Sequence, residues 1–88
     1  MTERTIRLRT EGLHWRLVEG ELIVLDAAAG KYLSLNSAAA TLWPALEEGA
    51  TRAQLVEELV ARWPDAGDHV GADVDAFIAW LDERGLCA

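Results

Sequence analysis

The sequence predicts an α+β fold in which a three-stranded antiparallel meander precedes three α-helices. Two observations carry this prediction. From about residue 13 to 35, apolar residues either alternate with polar ones or form short runs rich in strand-forming residues. From about residue 36 to 86, apolar residues recur at helical spacing. A chain of 88 residues, of which 51% are apolar, is long enough for one core, so a single domain over residues 1–88 is expected.

The first part of the chain carries the strand patterns. Three strands are predicted, at residues 13–17, 22–25 and 31–35. Glu19-Gly20 joins the first two strands as a hairpin turn, because glycine readily takes the positive φ that a two-residue turn needs. A turn over residues 26–30, which opens on an aspartate and closes on a glycine, leads to the third strand. A further short strand is expected at residues 6–9.

The second part of the chain carries helix patterns and capping signals. Helices are predicted from Asn36 to Gly49, from Thr51 to Trp63, and from about residue 70 to 84. Asn36 is a favourable N-cap, and Thr51 with Gln54 forms a capping box. Gly85 takes the position after the third helix that favours glycine, which allows Leu86 to fold back onto that helix.

Each predicted helix has one apolar stripe, which we expect to be buried. The stripes are Ala39, Leu42, Trp43 and Leu46; Leu55, Val56, Leu59, Val60 and Trp63; and Val70, Val74, Phe77, Ile78 and Leu81. Pro44 interrupts the first helix, because proline lacks the backbone N–H that a helix interior uses. A kink there, or a break at Trp43, is therefore expected.

The net charge of −7 lies entirely in residues 32–88, which contain three basic and ten acidic residues. An acidic surface repels the phosphate backbone of nucleic acids, so no nucleic-acid partner is expected, although a meander followed by three helices looks like a winged helix-turn-helix. Charges near the N-terminus argue against a signal peptide, and no apolar stretch is long enough to cross a bilayer. We therefore expect a cytoplasmic protein without a membrane partner.

Reactive side chains are few and far apart. His14 and His69 are separated by 55 residues, and no carboxylate is spaced to complete a metal site with them. Cys87 is the only cysteine, and its neighbours Asp82 and Glu83 would not activate a thiolate. We therefore expect a protein that is not an enzyme, with no catalytic residue, no metal and no cofactor.

The third strand is expected to form an edge of the sheet, with unpaired backbone groups along residues 31–35. If the third helix packs beside this edge, the two elements form a groove that an extended peptide could enter as an added strand. Trp80 lies beside the main stripe of that helix, so it either completes the core or borders the groove. A homodimer through the same edge and a DNA-binding winged helix are the alternatives.

Four short motifs follow one another along residues 26–86. D-x-x-x-G-x-Y-x-x-L-N begins at Asp26, and A-x-x-(I/L)-W begins at Ala39. G-x-T-x-x-x-L begins at Gly49, and D-V-x-x-F-(L/I)-x-x-L-x-x-x-G-L begins at Asp73. In this order and spacing they resemble the motifs of PqqD-like proteins, which recognise precursors in pathways that modify ribosomally made peptides. Pro44 departs from the family's pattern.

The resemblance implies a protein that binds the leader segment of a precursor peptide antiparallel along the third strand, in the cleft against the third helix. The strand would supply its backbone edge, helix residues would floor or flank the pocket, and two further side chains would contact the leader at the rim. By position, the backbone edge is formed by Lys31, Tyr32, Leu33 and Ser34. The pocket residues are Val74, Phe77, Ile78 and Leu81, and the rim residues are Asp73 and Trp80. The acidic helices favour a leader with Lys or Arg near its anchors.

The resemblance also implies delivery of the bound precursor to a separate enzyme. A free-standing chain of this length looks most like the B-type recognition proteins of lasso-peptide pathways, which act with a cysteine-protease-like leader peptidase. The other interpretation is a peptide chaperone for a radical-SAM enzyme in quinone-cofactor biosynthesis. No residue of the sequence decides between these two enzymes.

Overall fold

The computed structural model describes residues 3–88 as an α+β fold, with a sheet followed by helices. The strands in this part of the chain are β1 (Thr5–Ile6), β2 (Leu13–Val18), β3 (Glu21–Asp26), β4 (Lys31–Leu35) and β5 (Ala50–Thr51). The helices are α1 (Ser37–Glu48), α2 (Arg52–Arg62) and α3 (His69–Glu83), with a 3₁₀ turn at Pro64–Ala66 between the last two. The predicted winged-helix-like arrangement of a meander followed by three helices is confirmed.

The main sheet has the order β2-β3-β4, and both pairs of strands are antiparallel. Glu19 and Gly20 have φ angles of 50° and 83°, the double positive φ of a type I′ turn, which confirms the predicted hairpin. Trp15, Val24 and Leu33 lie opposite one another across the three strands on the face that packs against the helices. One register therefore fixes which side chains of β4 face inward.

A second, two-stranded sheet joins β1 to β5. The short strand expected at residues 6–9 is found at Thr5–Ile6, outside the meander, and Leu8 adds an isolated bridge to Cys87. The Arg9 backbone N–H donates to the Leu86 carbonyl at 2.7 Å. The N-terminal segment is thereby tied to the end of the chain and to the start of α2.

The helix caps agree with the sequence. The Asn36 side chain accepts a hydrogen bond from the Ala39 N–H, and Thr51 with Gln54 forms both bonds of the capping box. After α3, Gly85 has a φ of 65° and the Leu86 N–H donates to the Leu81 carbonyl, the closing bond of a Schellman motif. These local signals set where the helices begin and end.

The break expected at Trp43 is wrong, because α1 continues through Pro44 to Glu48. Leu42, Trp43 and Leu46 lie on both sides of the proline and are at most 1% exposed, whereas Pro44 itself is exposed to solvent. Burial on both sides holds the helix together at this point, which outweighs the loss of one backbone hydrogen bond.

The core lies between the meander and the helices, and it contains most of the predicted stripes. Two residues at positions predicted to face inward are exposed. Leu17, on the apolar side of the alternating strand at residues 13–17, is 64% exposed, and Val60 of the second helix stripe is 45% exposed. Leu17 lies near the hairpin end of the edge strand β2, whereas its neighbour Leu22 on the central strand is buried. Among residues 3–88, no helix has the length and apolar character needed to cross a membrane.

Candidate functional site

The strand β4 is an open edge of the meander, because in the described part of the chain it pairs with β3 alone. Its side chains alternate as the sequence predicts. Tyr32 and Ser34 are exposed on the outer face, and Leu33 and Leu35 point toward the helices. An edge of this kind leaves backbone N–H and C=O groups free to pair with another extended chain.

A groove of about 540 Å³ lies between the end of β4, the start of α1 and one face of α3. Leu35 and Leu42 are buried at its floor, Phe77 and Trp80 form one wall, and Asp73 adds a carboxylate. Small side chains at the start of α1 leave this space open. The lining residues are Ser34, Leu35, Asn36, Ala38, Ala39, Leu42, Leu59, Asp73, Ala76, Phe77 and Trp80. We call this space the β4–α3 groove.

The wall of the groove is an aromatic stack on α3. Phe77 and Trp80 are stacked with ring centroids 6.0 Å apart and an interplanar angle of 19°. The guanidinium carbon of Arg84 lies 4.6 Å from the centroid of the Trp80 ring. Spacings of three and four residues place these side chains in one row along the helix. Contacts with Phe77 and Arg84 restrain the Trp80 ring, which is half-buried and open to the groove.

A second depression, of about 300 Å³, lies at the other end of the same edge. It is lined by Asp26, Ala29, Lys31, Leu33, Glu83 and Arg84, and we call it the charged depression. The start of β4 therefore lies beside the end of α3, and the end of β4 lies beside the middle of α3. Strand and helix run in opposite directions, and the groove and the charged depression lie toward the two ends of the same β4 edge.

Two ion pairs hold α3 from the side away from the groove. Arg4 donates two hydrogen bonds to the Asp82 carboxylate, at 2.9 and 2.6 Å. Arg52 of α2 donates to Asp75 at 2.5 and 3.1 Å, and also to the Gly71 carbonyl. These hydrogen bonds lower the pKa of Asp75 and Asp82 below the ordinary value of a carboxyl group.

The structure brings only some of the predicted site residues to the groove. Ser34, Asp73, Phe77 and Trp80 line it, whereas Lys31 and Leu33 line the charged depression. Tyr32 is 75% exposed on the outer face of the sheet, so only its backbone belongs to the edge.

Three predicted residues of α3 lie elsewhere. Val74 and Leu81 are fully buried in the core, and Ile78 lines a shallow depression with Arg4 and Arg52. The reason is helical geometry, because about 100° of rotation per residue separates the face of Phe77 from that of Ile78. An apolar stripe in the sequence does not distinguish these faces.

The sequence interpretation also missed the contribution of α1. Asn36, Ala38 and Ala39 line the groove together with Ala76 of α3. The run of alanines after the Asn36 cap was the available signal, since small side chains at a helix start leave room beside a strand edge. Ala76 is spaced three residues after Asp73 and four before Trp80, so it shares their helix face.

The Cys87 thiol is not activated. Burial, the largest cause, and the nearby Asp82 carboxylate raise its pKa, which favours the protonated thiol. Within residues 3–88, no three His, Cys, Asp or Glu side chains come together as a group that could hold a metal ion. The β4–α3 groove offers a backbone edge, an aromatic wall and a carboxylate.

The fold and the groove define a class: a small winged-helix-like α+β protein with an open sheet edge beside its last helix. The family described as coenzyme PQQ synthesis protein D (PqqD) matches residues 21–86, which span the meander from β3 onward and all three helices. The chain therefore belongs to the PqqD family. No curated protein matches the sequence.

Two solved structures are similar to this chain along nearly its whole length. One is TbiB1 in complex with the TbiA(beta) leader peptide, with 21% identity, a TM-score of 0.79, and 92% of this chain and 93% of that chain covered. The other is lasso peptide synthetase B1 complexed with the leader peptide, with 24% identity, a TM-score of 0.78, and coverage of 94% and 96%. At these identities the likeness establishes the shared fold.

Proposed function

We propose that this protein binds the leader segment of a ribosomally synthesised precursor peptide as an added antiparallel strand along β4, against α3. The observation that carries the proposal is the open β4 edge beside a groove walled by Phe77 and Trp80. Membership of the PqqD family supports it. The two similar structures support it as well, since both are complexes with leader peptides.

Each part of the site has a distinct role in this proposal. The backbone of residues 31–34 pairs with the leader, which gives affinity without requiring particular leader side chains. Phe77 and Trp80 receive an apolar leader side chain, and this contact provides specificity. Asp73 lies at the groove and attracts a basic leader residue.

The expected affinity follows from these contacts. Four backbone hydrogen bonds contribute about 1 kcal/mol each, and two buried apolar side chains contribute about 1.5–3 kcal/mol each. Ordering a flexible leader costs about 2–5 kcal/mol. Micromolar or weaker binding is the result, which is suited to a protein that must release the precursor.

We further propose that the protein itself performs no chemistry and delivers the bound precursor to a separate enzyme. The similarity to lasso peptide synthetase B1 favours a cysteine-protease-like leader peptidase as that enzyme. The family description, coenzyme PQQ synthesis, favours the other candidate, a radical-SAM enzyme. Co-purification of this protein with each of the two enzymes, with and without the precursor, distinguishes between them.

The direct test is isothermal titration with a synthetic leader from the precursor encoded beside this protein. We expect one-to-one binding that Trp80→Ala weakens by about tenfold or more, as for an aromatic anchor at an interface. Trp63→Ala is the matched control, because Trp63 is also half-buried, also has an arginine (Arg62) over its ring at 5.7 Å, and does not line the groove. Equal losses in both variants, or no binding by the wild type, would reject the proposal.

Strand addition has a signature of its own. In an added antiparallel strand, alternate backbone N–H groups point toward β4 and the others point away. N-methylation of single leader amides should therefore abolish binding at every second position and leave the positions between nearly unaffected. A leader that binds as a helix would show no period of two.

A further inference from the structure

The charged depression combines two basic with two acidic side chains, in a chain with a net charge of −7. Two of its six lining residues are basic, Lys31 at the start of β4 and Arg84 after α3. Arg84 connects it to the β4–α3 groove, because its guanidinium lies against the Trp80 ring that forms the wall of the groove. A leader bound along β4 would pass directly over it.

The charges in this depression are not equally available to a ligand. The Asp26 carboxylate is 4% exposed and already accepts hydrogen bonds from Arg9 at 2.8 Å and from the Ala29 N–H at 3.2 Å. Lys31 and Arg84 form no ion pair with any residue between 3 and 88. Arg84 packs on the ring of Trp80. A guanidinium group that packs on an aromatic ring can still donate hydrogen bonds to a carboxylate, because its N–H groups point outward in the guanidinium plane.

The register of β4 sets where a leader side chain would meet these cations. Every second side chain of β4 lies on the face of the strand toward α3, and these are Leu35, Leu33 and Lys31. In an antiparallel added strand, the leader residue opposite Leu35 enters the groove, and the residue opposite Lys31 follows four positions later. The two side chains point to the same side, because four is an even number of strand positions.

We propose that Lys31 and Arg84 bind an acidic leader residue located four positions C-terminal to the apolar residue in the groove. The inference rests on the proposed function and adds to it the chemistry and the position of a second recognised side chain. Glu83 lies in the same depression and opposes an incoming carboxylate, so it limits the affinity of this contact without reversing its sign.

The inference also gives the leader a charge order. Asp73 lies at the groove and favours a basic residue near the apolar anchor, whereas Lys31 and Arg84 favour an acidic residue after it. The order reverses if the added strand runs parallel to β4. The order of the basic and acidic residues along the leader therefore indicates whether the leader runs antiparallel or parallel to β4.

Selection from a random dodecapeptide library displayed on phage tests the inference without a known leader. The wild type should enrich an apolar residue followed four positions later by Asp or Glu, and Lys31→Glu should shift that later position to Lys or Arg while the apolar residue stays. Enrichment of the apolar residue alone would overturn this inference and leave the proposed function standing. No enrichment at all would reject both.

A pair of synthetic peptides from the selection, with Glu or Gln at the acidic position, provides the quantitative test. In fluorescence anisotropy, the wild type should prefer Glu by about twofold to fivefold, which is within the range for a solvent-exposed charge pair. Lys31→Gln should reduce that preference. Arg16→Gln is the control, since Arg16 is exposed on the outer face of β2 and loses the same charge. An equal change in both variants would show a general charge effect and overturn the inference.

Discussion

Arg4 and Asp82, which are 78 residues apart in the sequence, form a two-bond ion pair between the N-terminal segment and α3. Together with Arg52 and Asp75, this pair attaches α3 to the N-terminal segment and to α2. Both contacts lie on the side of α3 away from the β4–α3 groove. They leave the face of Phe77 and Trp80 open to the groove.

Acid should weaken this attachment. Hydrogen bonds from the two arginines hold the pKa of Asp75 and Asp82 below the ordinary value of 3.8. Because these folded-state pKa values are depressed, the stabilisation is fully present above the unfolded-state pKa and is lost as the pH falls through the folded-state pKa. Thermal unfolding followed by circular dichroism should therefore show the wild type losing Tm below about pH 4 more steeply than the Asp75→Asn/Asp82→Asn variant.

The double variant is the control for other carboxyl groups, which titrate in both proteins. At neutral pH it should be the less stable of the two, and the two curves should approach each other in acid. Parallel curves would mean that the pairs contribute nothing to stability.

Adjacent residues of α3 should separate stability from binding. Leu81 is 0% exposed, so Leu81→Ala should lower the free energy of unfolding by about 2–5 kcal/mol, the cost of truncating a buried leucine. Trp80 is half-buried and open to the groove, so Trp80→Ala should cost less stability and more leader affinity. Urea unfolding and leader titration of both variants check this expectation. A greater loss of affinity in folded Leu81→Ala would contradict it.

Local signals predicted most of the fold. Alternation along β4 places Leu33 and Leu35 inward, and the caps at Asn36 and Thr51 mark the helix starts. These predictions succeed because each depends on residues within a few positions of one another.

The candidate site was harder to predict, because it depends on how α3 is rotated. Phe77 and Ile78 belong to one apolar stripe in the sequence, yet Phe77 lines the groove and Ile78 lies beside Arg4 and Arg52. The rotation follows from the burial of Val74 and Leu81 against residues far away in the sequence, which no local pattern encodes. The roles of the site residues in leader binding stay predictions.

The buried carboxylate of Asp26 should make Arg9 important for stability. Asp26 is 4% exposed, and Arg9 supplies its side-chain hydrogen bond at 2.8 Å. Arg9→Ala leaves the carboxylate with the Ala29 N–H alone, and an incompletely paired buried group costs about 1–3 kcal/mol. Arg7→Ala is the matched control, because the Arg7 side chain is exposed and should change stability by less than about 0.5 kcal/mol. Similar urea midpoints for the two variants would contradict this role of Arg9.

Pro44 should reduce the stability of the wild type. α1 is continuous across this exposed residue, so the proline only removes the N–H that would donate to the Ala40 carbonyl. Proline in a helix interior is about 3 kcal/mol less favourable than alanine, and its stiffening of the unfolded chain offsets about 0.4–1 kcal/mol of that. We expect Pro44→Ala to raise the free energy of unfolding by about 2–2.6 kcal/mol, measured as a higher urea midpoint at an unchanged m-value.

Leader binding should not change in the Pro44→Ala variant, because the α1 residues that line the groove, Ala38, Ala39 and Leu42, precede the proline. Glu47→Ala, at another exposed position of the same helix, controls for the general effect of alanine on α1. A Pro44→Ala variant that binds the leader more weakly, or that is less stable than the wild type, would mean that the proline gives α1 a bend that the groove requires. The helix would then be part of the recognition site through its shape as well as through its alanines.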